Sequence, residues 1–134
     1  MVDTGPLLAT ADRDDPDHET CQALLESDAG PLITSPLVIA EASCLLDRQL
    51  GPVADAALFR SIADGSLRVE ALHALDWTRI ADLIEEHADL RLGGTDASLV
   101  ALGERLEVKR IATLNHRDFA VVRPRHTDAF ELLP

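Results

Sequence analysis

Short apolar segments alternate with helix start and stop signals along this chain, and this alternation constrains the fold more than any other feature of the sequence. Parallel strands are joined by connections long enough to carry a helix, so the pattern predicts an α/β domain with a mainly parallel central sheet and helices on both faces. A chain of 134 residues fits one core, and we expect a single domain over residues 1–134. The expected strands are residues 1–4, 31–35, 67–72 and 110–114, and the tail can add a last short one.

Cap residues mark where the expected helices begin and end, because Ser, Thr and Asp favour the N-cap, Pro the first helical position and Gly the position beyond the end. One helix also has a predicted buried face, formed by apolar residues at helical spacing: Leu75, Ile80, Leu83, Ile84 and Ala88. The expected helices are 16–29 (Asp15 as N-cap, Pro16 first, Gly30 closing it), 36–50 (opened by Ser35 and Pro36, ended by Gly51 and Pro52), 52–63, 75–88, and 95–106 (after Gly93 and Gly94, with Thr95 as N-cap).

The charge balance limits the partners that the surface can attract. The chain has 24 acidic and 12 basic residues, a formal net charge of -12, and such a surface repels nucleic acid at long range. If the substrate is RNA, divalent ions in the site and local arginines must hold it. An acidic body also suits a basic protein partner, and the surplus of apolar helix faces leads us to expect a homodimer.

Neither a membrane segment nor a signal peptide is recognisable. No apolar run approaches the roughly 20 residues needed to span a bilayer, and MVDTGPLL lacks the basic segment of a secretory signal. We therefore expect a soluble cytoplasmic protein with no membrane partner. In that compartment Cys21 and Cys44, both within expected helices, are interpreted as buried reduced thiols, and Trp77 as a core residue.

Four carboxylates occupy positions where chemistry is expected. Asp3 ends the first strand, Glu41 lies in the almost wholly apolar LVIAEASCLL, Asp96 begins a helix and Asp118 follows the strand RIATL in a polar turn. Each has an ordinary structural explanation when taken alone. Asp3 and Asp96 can act as helix caps, Glu41 can be a tolerated edge residue, and a turn is the commonest place for an acid such as Asp118.

Taken together, the four acids predict a metal site. Ligands in parallel sheets collect at the carboxyl ends of the strands, and all four residues can converge there. Clustered carboxylates without histidine or cysteine ligands suit Mg²⁺ or Mn²⁺, and the chemistry typical of such sites is phosphodiester hydrolysis. We also expect Asp96 to lie near another acid, so that one carboxyl group holds its proton to a higher pH than usual.

The motifs VDTGPLLA, SPLVIAEA, GGTDASLVALGERL and IATLNHRDF resemble the PIN-domain ribonucleases, specifically the VapC toxins of bacterial toxin-antitoxin pairs, over essentially the whole chain and in family order. The resemblance implies a PIN-like fold, metal-dependent cleavage of RNA, a homodimer and a cognate VapB-type antitoxin docked over the acidic groove. It also implies roles for individual residues, with an acidic metal-binding quartet of Asp3, Glu41, Asp96 and Asp118 and supporting polar positions at Thr4 and Asn115.

Two departures from the family pattern leave points open. Only Met1 and Val2 precede Asp3, so the first strand is short, and some relatives carry the fourth acid where Asn115 stands here rather than at Asp118. His116 and Arg117 flank the expected site, where they can contact RNA phosphate or simply be exposed turn residues. Two other functions are compatible with the acidic residues: a non-catalytic acidic docking domain, and a phosphoaspartyl phosphatase, which Gly5 disfavours because that class has a second acid at this position.

Overall fold

The computed structural model describes residues 1–27, 31–90 and 92–134. Within these ranges, no helix is long and apolar enough to cross a membrane. The elements are α1 (Thr4–Ala11), α2 (His18–Ser27), β1 (Leu32–Thr34), α3 (Pro36–Leu50), α4 (Pro52–Ala63), β2 (Leu67–Val69), α5 (Ala74–Glu86), α6 (Gly94–Leu106), β3 (Arg110–Ala112), α7 (His116–Val121) and β4 (Glu131–Leu133).

The first residues of the chain lie between two pairs of parallel strands. Strand β1 pairs with β2, and β3 pairs with β4. Val2 joins the pairs, because its backbone N–H donates to the Ile33 carbonyl at 2.8 Å and the residue forms a parallel bridge with Ala112. The predicted parallel arrangement is confirmed, although the strands are only three residues long and residues 1–3 contribute a bridge rather than a full strand.

Helices cover both faces of this sheet. Successive strand residues point to opposite faces, so Ile111 and Ala112 should bury against different elements. Ile111 packs in a cluster with α6 and with Leu83 of α5, whereas Ala112 packs with Val2 and the α3 and α4 residues Leu46 and Leu58. The α/β class with helices on both faces is therefore confirmed.

Helices α3 and α4 begin and end where their cap residues predict. The Ser35 hydroxyl accepts a hydrogen bond from the Val38 N–H at 3.1 Å, and Pro36 occupies the first turn. Gly51 ends α3 with a positive φ of 86°, a conformation that a residue with a side chain rarely adopts, and α4 follows directly. The sharp corner between the two helices is thus encoded locally.

Two predicted helix starts are wrong. Helix α2 begins at His18, not Pro16, because the Asp15 carboxylate accepts from the Asp17 N–H at 2.8 Å and closes a turn before the helix. The predicted end of this helix, Gly30, lies outside the described residues. Helix α6 has Gly93 as its N-cap, so Thr95 already lies inside the first turn instead of capping it.

Two helices were not predicted. Helix α1 follows directly after Asp3, where the Gly5–Pro6 pair resembles a turn; Pro6 is compatible with a first helical turn because its missing N–H has no intrahelical acceptor there. The six-residue α7 carries Asp118 in its first turn, so this residue is helical and does not lie in a polar turn as predicted.

The buried face of α5 differs in part from the prediction. Ile80 and Leu83 are buried, but Leu75 is 82% exposed, Ile84 is exposed and residue 88 lies beyond the helix. Two charged residues of α5, Asp76 and Arg79, are buried instead.

Trp77 is 49% exposed, so its interpretation as a core residue is wrong. It lies on α5 outside the buried face, which is formed by Asp76, Arg79, Ile80 and Leu83. Cys21 is buried as expected, but Cys44 is exposed.

Candidate functional site

Asp3 follows Val2, the residue that joins the two strand pairs, and lies at the carboxyl edge of the sheet. The residue is only 5% exposed. One carboxylate oxygen, Oδ1, accepts from the Thr4 N–H at 2.7 Å, which makes Asp3 the N-cap of α1. The other, Oδ2, accepts from the Thr113 hydroxyl at 2.7 Å. Asp3 is therefore both the N-cap of a helix and a member of the acidic cluster. The two hydrogen bonds fix the plane of its carboxylate.

Glu41 reaches the same edge from the second turn of α3. Its carboxylate Oε2 accepts from the Thr4 hydroxyl at 2.5 Å, although the residue as a whole is exposed. Thr4 thus contacts two of the predicted acids, one through its backbone N–H and one through its hydroxyl. An exposed glutamate held at this point retains oxygen lone pairs that face solvent.

Asp96 and Asp118 are linked by one side chain. The Asn115 amide nitrogen donates to Asp118 Oδ2 at 2.9 Å and approaches Asp96 Oδ2 at 3.4 Å. Asp96 lies in the first turn of α6 and Asp118 in the first turn of α7, so Asn115 connects the starts of two helices. All three side chains are half-buried.

The six predicted site residues belong to a continuous hydrogen-bond path that needs one further residue, Thr113. This threonine is fully buried, donates to Asp3, and accepts from the Asn115 N–H at 3.0 Å. It was missed in the sequence because it lies inside the apolar strand RIATL and carries no charge. Its position at the end of a strand, two residues before a polar turn, is the signal that would have found it.

Asp96 has the largest electrostatic perturbation of the cluster. Its pKa is raised from 3.8 to about 7, mainly by burial and in addition by the nearby charges of Asp3, Asp118 and Glu41, while the hydrogen bond from Asn115 opposes the rise. The expectation that one carboxyl group holds its proton to a higher pH is confirmed. Burial likewise raises the pKa of Asp3, against the hydrogen bonds from Thr113 and Thr4.

Neutral donors, not cations, support these acids. The ion pairs found among the described residues include none of the four. His116 and Arg117 at the start of α7 are exposed and form no ion pair within the described part of the chain. Among the described residues, the negative charge of the cluster thus has no positive partner in an ion pair.

The donor chemistry fits a hard divalent cation. In the described ranges, no three acidic, histidine or cysteine groups are gathered closely enough to form a complete metal cage. A complete cage is not needed for Mg²⁺, which keeps several water ligands and is usually bound through one or two carboxylates. Carboxylates whose like charges add to the effect of burial on the pKa of Asp96 are suited to such an ion, because a cation would relieve that repulsion.

A contact between two serine hydroxyls holds together the helices that carry Glu41 and Asp96. Ser35 Oγ, at the N-cap of α3, lies 2.6 Å from Ser98 Oγ on α6, and both residues are fully buried. Ser98 also donates to the Thr95 carbonyl at 2.6 Å. The starts of α3 and α6 are therefore held together below the acidic cluster.

Comparisons with known proteins agree with this architecture. The profile of the PIN domain family matches residues 1–123. Ribonuclease VapC26 from Mycobacterium tuberculosis (strain ATCC 25618 / H37Rv) is 32% identical over 134 residues, covering 100% of this chain and 99% of that protein. The crystal structure of Mycobacterium tuberculosis VapC20, a Sarcin-Ricin loop cleaving toxin, superimposes with a TM-score of 0.84 at 23% identity, over 95% of this chain and 97% of that one. The chain belongs to the PIN domain family.

Proposed function

We propose that this protein is a metal-dependent endoribonuclease of the VapC type, the toxin component of a toxin-antitoxin pair. The observation that carries the proposal is the acidic cluster itself. Four carboxylates from the two ends of the chain lie on one hydrogen-bond path, and burial together with the charges of the other three raises the pKa of Asp96 to about 7, while the hydrogen bonds to these acids come from neutral groups. The similarity to a ribonuclease over the full chain supports RNA as the substrate.

We assign Asp3, Glu41, Asp96 and Asp118 as the groups that hold Mg²⁺ or Mn²⁺. Thr4 and Asn115 are assigned supporting roles, since each donates hydrogen bonds to acids of the cluster. The donation from Asn115 to Asp118 favours Asp118 as the fourth metal-binding position, because it holds an anionic carboxylate beside Asp96, whereas Asn115 offers only a neutral amide oxygen. When bound, the metal activates water and shields the charge of the phosphoryl group in the transition state.

The chain's own residues prepare the site for that chemistry. Thr4 and Thr113 hold both oxygens of Asp3 in fixed directions, and Asn115 holds Asp118 beside Asp96. Such preorganisation means that the carboxylates need little reordering when a substrate arrives. His116 and Arg117 at the start of α7 are exposed, and we propose that they contact phosphates of an RNA strand.

The same proposal covers the remaining partners. A formal charge of -12 suits a basic segment of a VapB-type antitoxin, and we propose a homodimer in the cytoplasm, where the RNA substrate is found. Residues 124–134 lie beyond the family match, but β4 pairs with β3, so we include them in a single domain over residues 1–134.

Cleavage of RNA by the purified protein, with and without Mn²⁺, tests the catalytic proposal. We expect cleavage with Mn²⁺ or Mg²⁺ and none with a chelator, and we expect Asp3→Asn to abolish it without unfolding the protein. A well-folded wild type that leaves RNA intact at every Mn²⁺ concentration would falsify the nuclease assignment. Such a result would favour the acidic docking domain, whereas release of phosphate from a simple monoester would favour the phosphatase.

Light scattering of the purified protein tests the proposed assembly. We expect a dimer at micromolar concentration, and a further increase in mass with a stoichiometric basic antitoxin. A monomer over the whole concentration range would contradict the homodimer and leave the nuclease assignment unaffected.

A further inference from the structure

We propose that Thr113 is a positioning residue for the metal site, whose hydroxyl orients the Asp3 carboxylate and places Asn115 beside Asp96 and Asp118. The proposal rests on the metal-dependent function proposed above. It concerns a neutral residue that lies 110 positions from Asp3 in sequence.

The geometry leaves the Thr113 hydroxyl a single arrangement. Its one proton points at Asp3 Oδ2, 2.7 Å away, and its oxygen accepts from the Asn115 N–H at 3.0 Å. Because a hydroxyl has one donor, donation to Asp3 leaves only lone pairs for the amide of Asn115. Both bonds can therefore be satisfied together only in the directions observed.

The backbone around Thr113 is held independently of its hydroxyl. The Thr113 N–H donates to the Leu133 carbonyl at 2.8 Å, which continues the pairing of β3 with β4, and the residue has no exposed surface. Removing the hydroxyl should therefore leave the strand in place. What is lost is the link from the strand to the Asp3 carboxylate on one side and to the start of the polar turn on the other.

That link connects the two halves of the acidic cluster. On one side of Thr113, Asp3 is joined through Thr4 to Glu41; on the other, Asn115 is joined to Asp96 and Asp118. Without the hydroxyl, Asp3 Oδ2 faces a buried methyl group and can rotate, and Asn115 loses the bond that fixes its backbone. Partners that orient metal ligands in this way typically change metal affinity or activity by about 10–100-fold when they are removed.

The test uses Thr113→Val, which keeps the shape and removes the hydroxyl, and Thr113→Ser, which keeps the hydroxyl and removes a methyl group. Thr34→Val is the matched control, since Thr34 is equally buried but donates to a backbone carbonyl, that of Val2, at 2.7 Å. For each protein, Mn²⁺ affinity is measured by titration calorimetry, RNA cleavage is measured against Mn²⁺ concentration, and the urea midpoint is measured in chelator.

We expect Thr113→Val to weaken Mn²⁺ binding by about 10–100-fold and to raise by a similar factor the Mn²⁺ concentration needed for half-maximal cleavage. Thr113→Ser should bind Mn²⁺ like wild type. Thr34→Val should lower the urea midpoint about as much as Thr113→Val does, with Mn²⁺ affinity unchanged. If Thr113→Val fails to fold, Thr113→Cys, whose S–H is a weak donor, should give an intermediate affinity.

The proposal is overturned if Thr113→Val, or Thr113→Cys in its place, binds Mn²⁺ as tightly as wild type. It is also overturned if Thr113→Ser loses as much affinity as Thr113→Val, or if Thr34→Val weakens binding equally, because either result makes the effect one of packing. Failure of the proposed function gives a different result, seen before any variant is made: wild-type protein that neither binds Mn²⁺ nor cleaves RNA.

Discussion

Two regions of this molecule contain groups of carboxylates, several of them buried or half-buried. The two regions differ in how this negative charge is compensated. Between α5 and α6, Arg79 Nε contacts Glu104 at 2.9 Å and its Nη1 contacts Glu86 at 3.2 Å, while Arg105 Nε contacts Asp76 at 3.0 Å. We call these five residues the α5–α6 ion-pair network. At the carboxyl end of the sheet, the acidic cluster has no arginine partner among the described ion pairs.

The difference is the one expected if the first region stabilises the fold and the second binds a cation, as we propose. In the ion-pair network each carboxylate has an arginine partner, and the hydrogen bonds that Arg79 donates to Glu104 raise the pKa of Arg79. In the acidic cluster, burial and like charges raise the pKa of Asp96 to about 7, so the charged form is disfavoured. A protein keeps such a cost at a site where a ligand supplies the missing charge.

The same Asp-to-Asn substitution in the two regions should give the largest contrast. Asp96→Asn removes one charge from the acidic cluster, and we expect RNA cleavage to fall by at least about a thousandfold, or about 4 kcal/mol in activation free energy. This exceeds the effect of removing a residue that only supports a ligand. In chelator, the variant should be as stable as wild type or more so, because repulsion with Asp3, Asp118 and Glu41 is relieved.

Asp76→Asn is the matched control for Asp96→Asn. It weakens the pairing with Arg105 and the hydrogen bond from the His73 N–H, so the free energy of unfolding should fall by about 2 kcal/mol, with cleavage by the folded fraction unchanged. Urea melts in chelator and initial cleavage rates measure both quantities. Loss of stability in Asp96→Asn together with intact cleavage would make Asp96 a structural residue and contradict the site assignment.

Breaking the ion-pair network at its centre should produce the next largest effect. Arg79→Met removes the cation that contacts both Glu104 and Glu86, and the Glu104 side chain, only 10% exposed, is left without its partner. Leaving a buried charge uncompensated costs about 3–5 kcal/mol, and we expect about 3 kcal/mol here because Glu86 is 54% exposed and can be solvated. Mn²⁺ affinity below the melting temperature should not change, and a weakened affinity would show that the two regions are coupled through α6.

The two regions also differ in how far the sequence predicts them. The cap residues of α3 and α4 act within one turn of chain, so their boundaries could be predicted from local chemistry. The buried face of α5 could not, because Asp76 and Arg79 are buried by partners on α6, more than 20 residues away in sequence. Hydrophobic periodicity assigns charged residues such as these to the surface. It assigned Leu75 to the core because it takes no account of partners that are distant in sequence.

The acidic cluster was predictable because its residues are anomalous where they stand. A charged residue such as Asp3 or Glu41 in an apolar segment needs an explanation, and the rule that ligands collect at strand ends supplies a common one. Thr113 gives no such signal, since a threonine in a strand is ordinary. Its role depends on the distance to Asp3, which only the fold determines.

The pH dependence of stability should separate the two regions further. In the folded protein Asp96 has a pKa of about 7, whereas the unfolded chain has the ordinary value of 3.8. Between these values the folded state holds a proton that the unfolded state has released, so the free energy of unfolding falls as the pH rises from about 4 to about 7. Because Asp96 is only half-buried, solvent screening should reduce the loss to about 2 kcal/mol.

Urea melts in chelator at about pH 5 and about pH 8 measure this slope. Asp96→Asn should lose most of it and keep the part due to Asp3, whose pKa is also raised. Arg79→Met should not reduce the slope, because it leaves the charges of the acidic cluster unchanged. An identical slope in wild type and Asp96→Asn would contradict the origin that we assign to it.

The smallest effects should come from one glycine in each region. Gly103, next to Glu104 on α6, is closely packed: a Cβ there would lie 2.9 Å from Met1 Cε and 2.9 Å from Phe130 Cε1. Methionine can move, but the phenylalanine ring is buried and packed edge-on against Phe119 at 6.5 Å between centroids. Gly103→Ala should therefore cost about 1 kcal/mol of stability, because the better helix propensity of alanine offsets part of the cost of overpacking.

At Gly5, beside the acidic cluster, a Cβ would lie 3.2 Å from the Cβ of Leu114, so a shift of a few tenths of an ångström suffices. Leu114 is 39% exposed and can move outward, and alanine gains up to about 1 kcal/mol in a helix, so Gly5→Ala should change stability by less than about 1 kcal/mol.

The effect of Gly5→Ala on cleavage should be larger, because the atom that must move is the Cβ of Leu114, next to the backbone that joins Thr113 to Asn115. Gly5→Ala should accordingly lower cleavage a few-fold with almost no change in the urea midpoint, whereas Gly103→Ala should lower the midpoint and spare the cleavage rate. The opposite pattern would mean that the segment from Thr113 to Asn115 tolerates displacement and that its geometry does not control the acidic cluster.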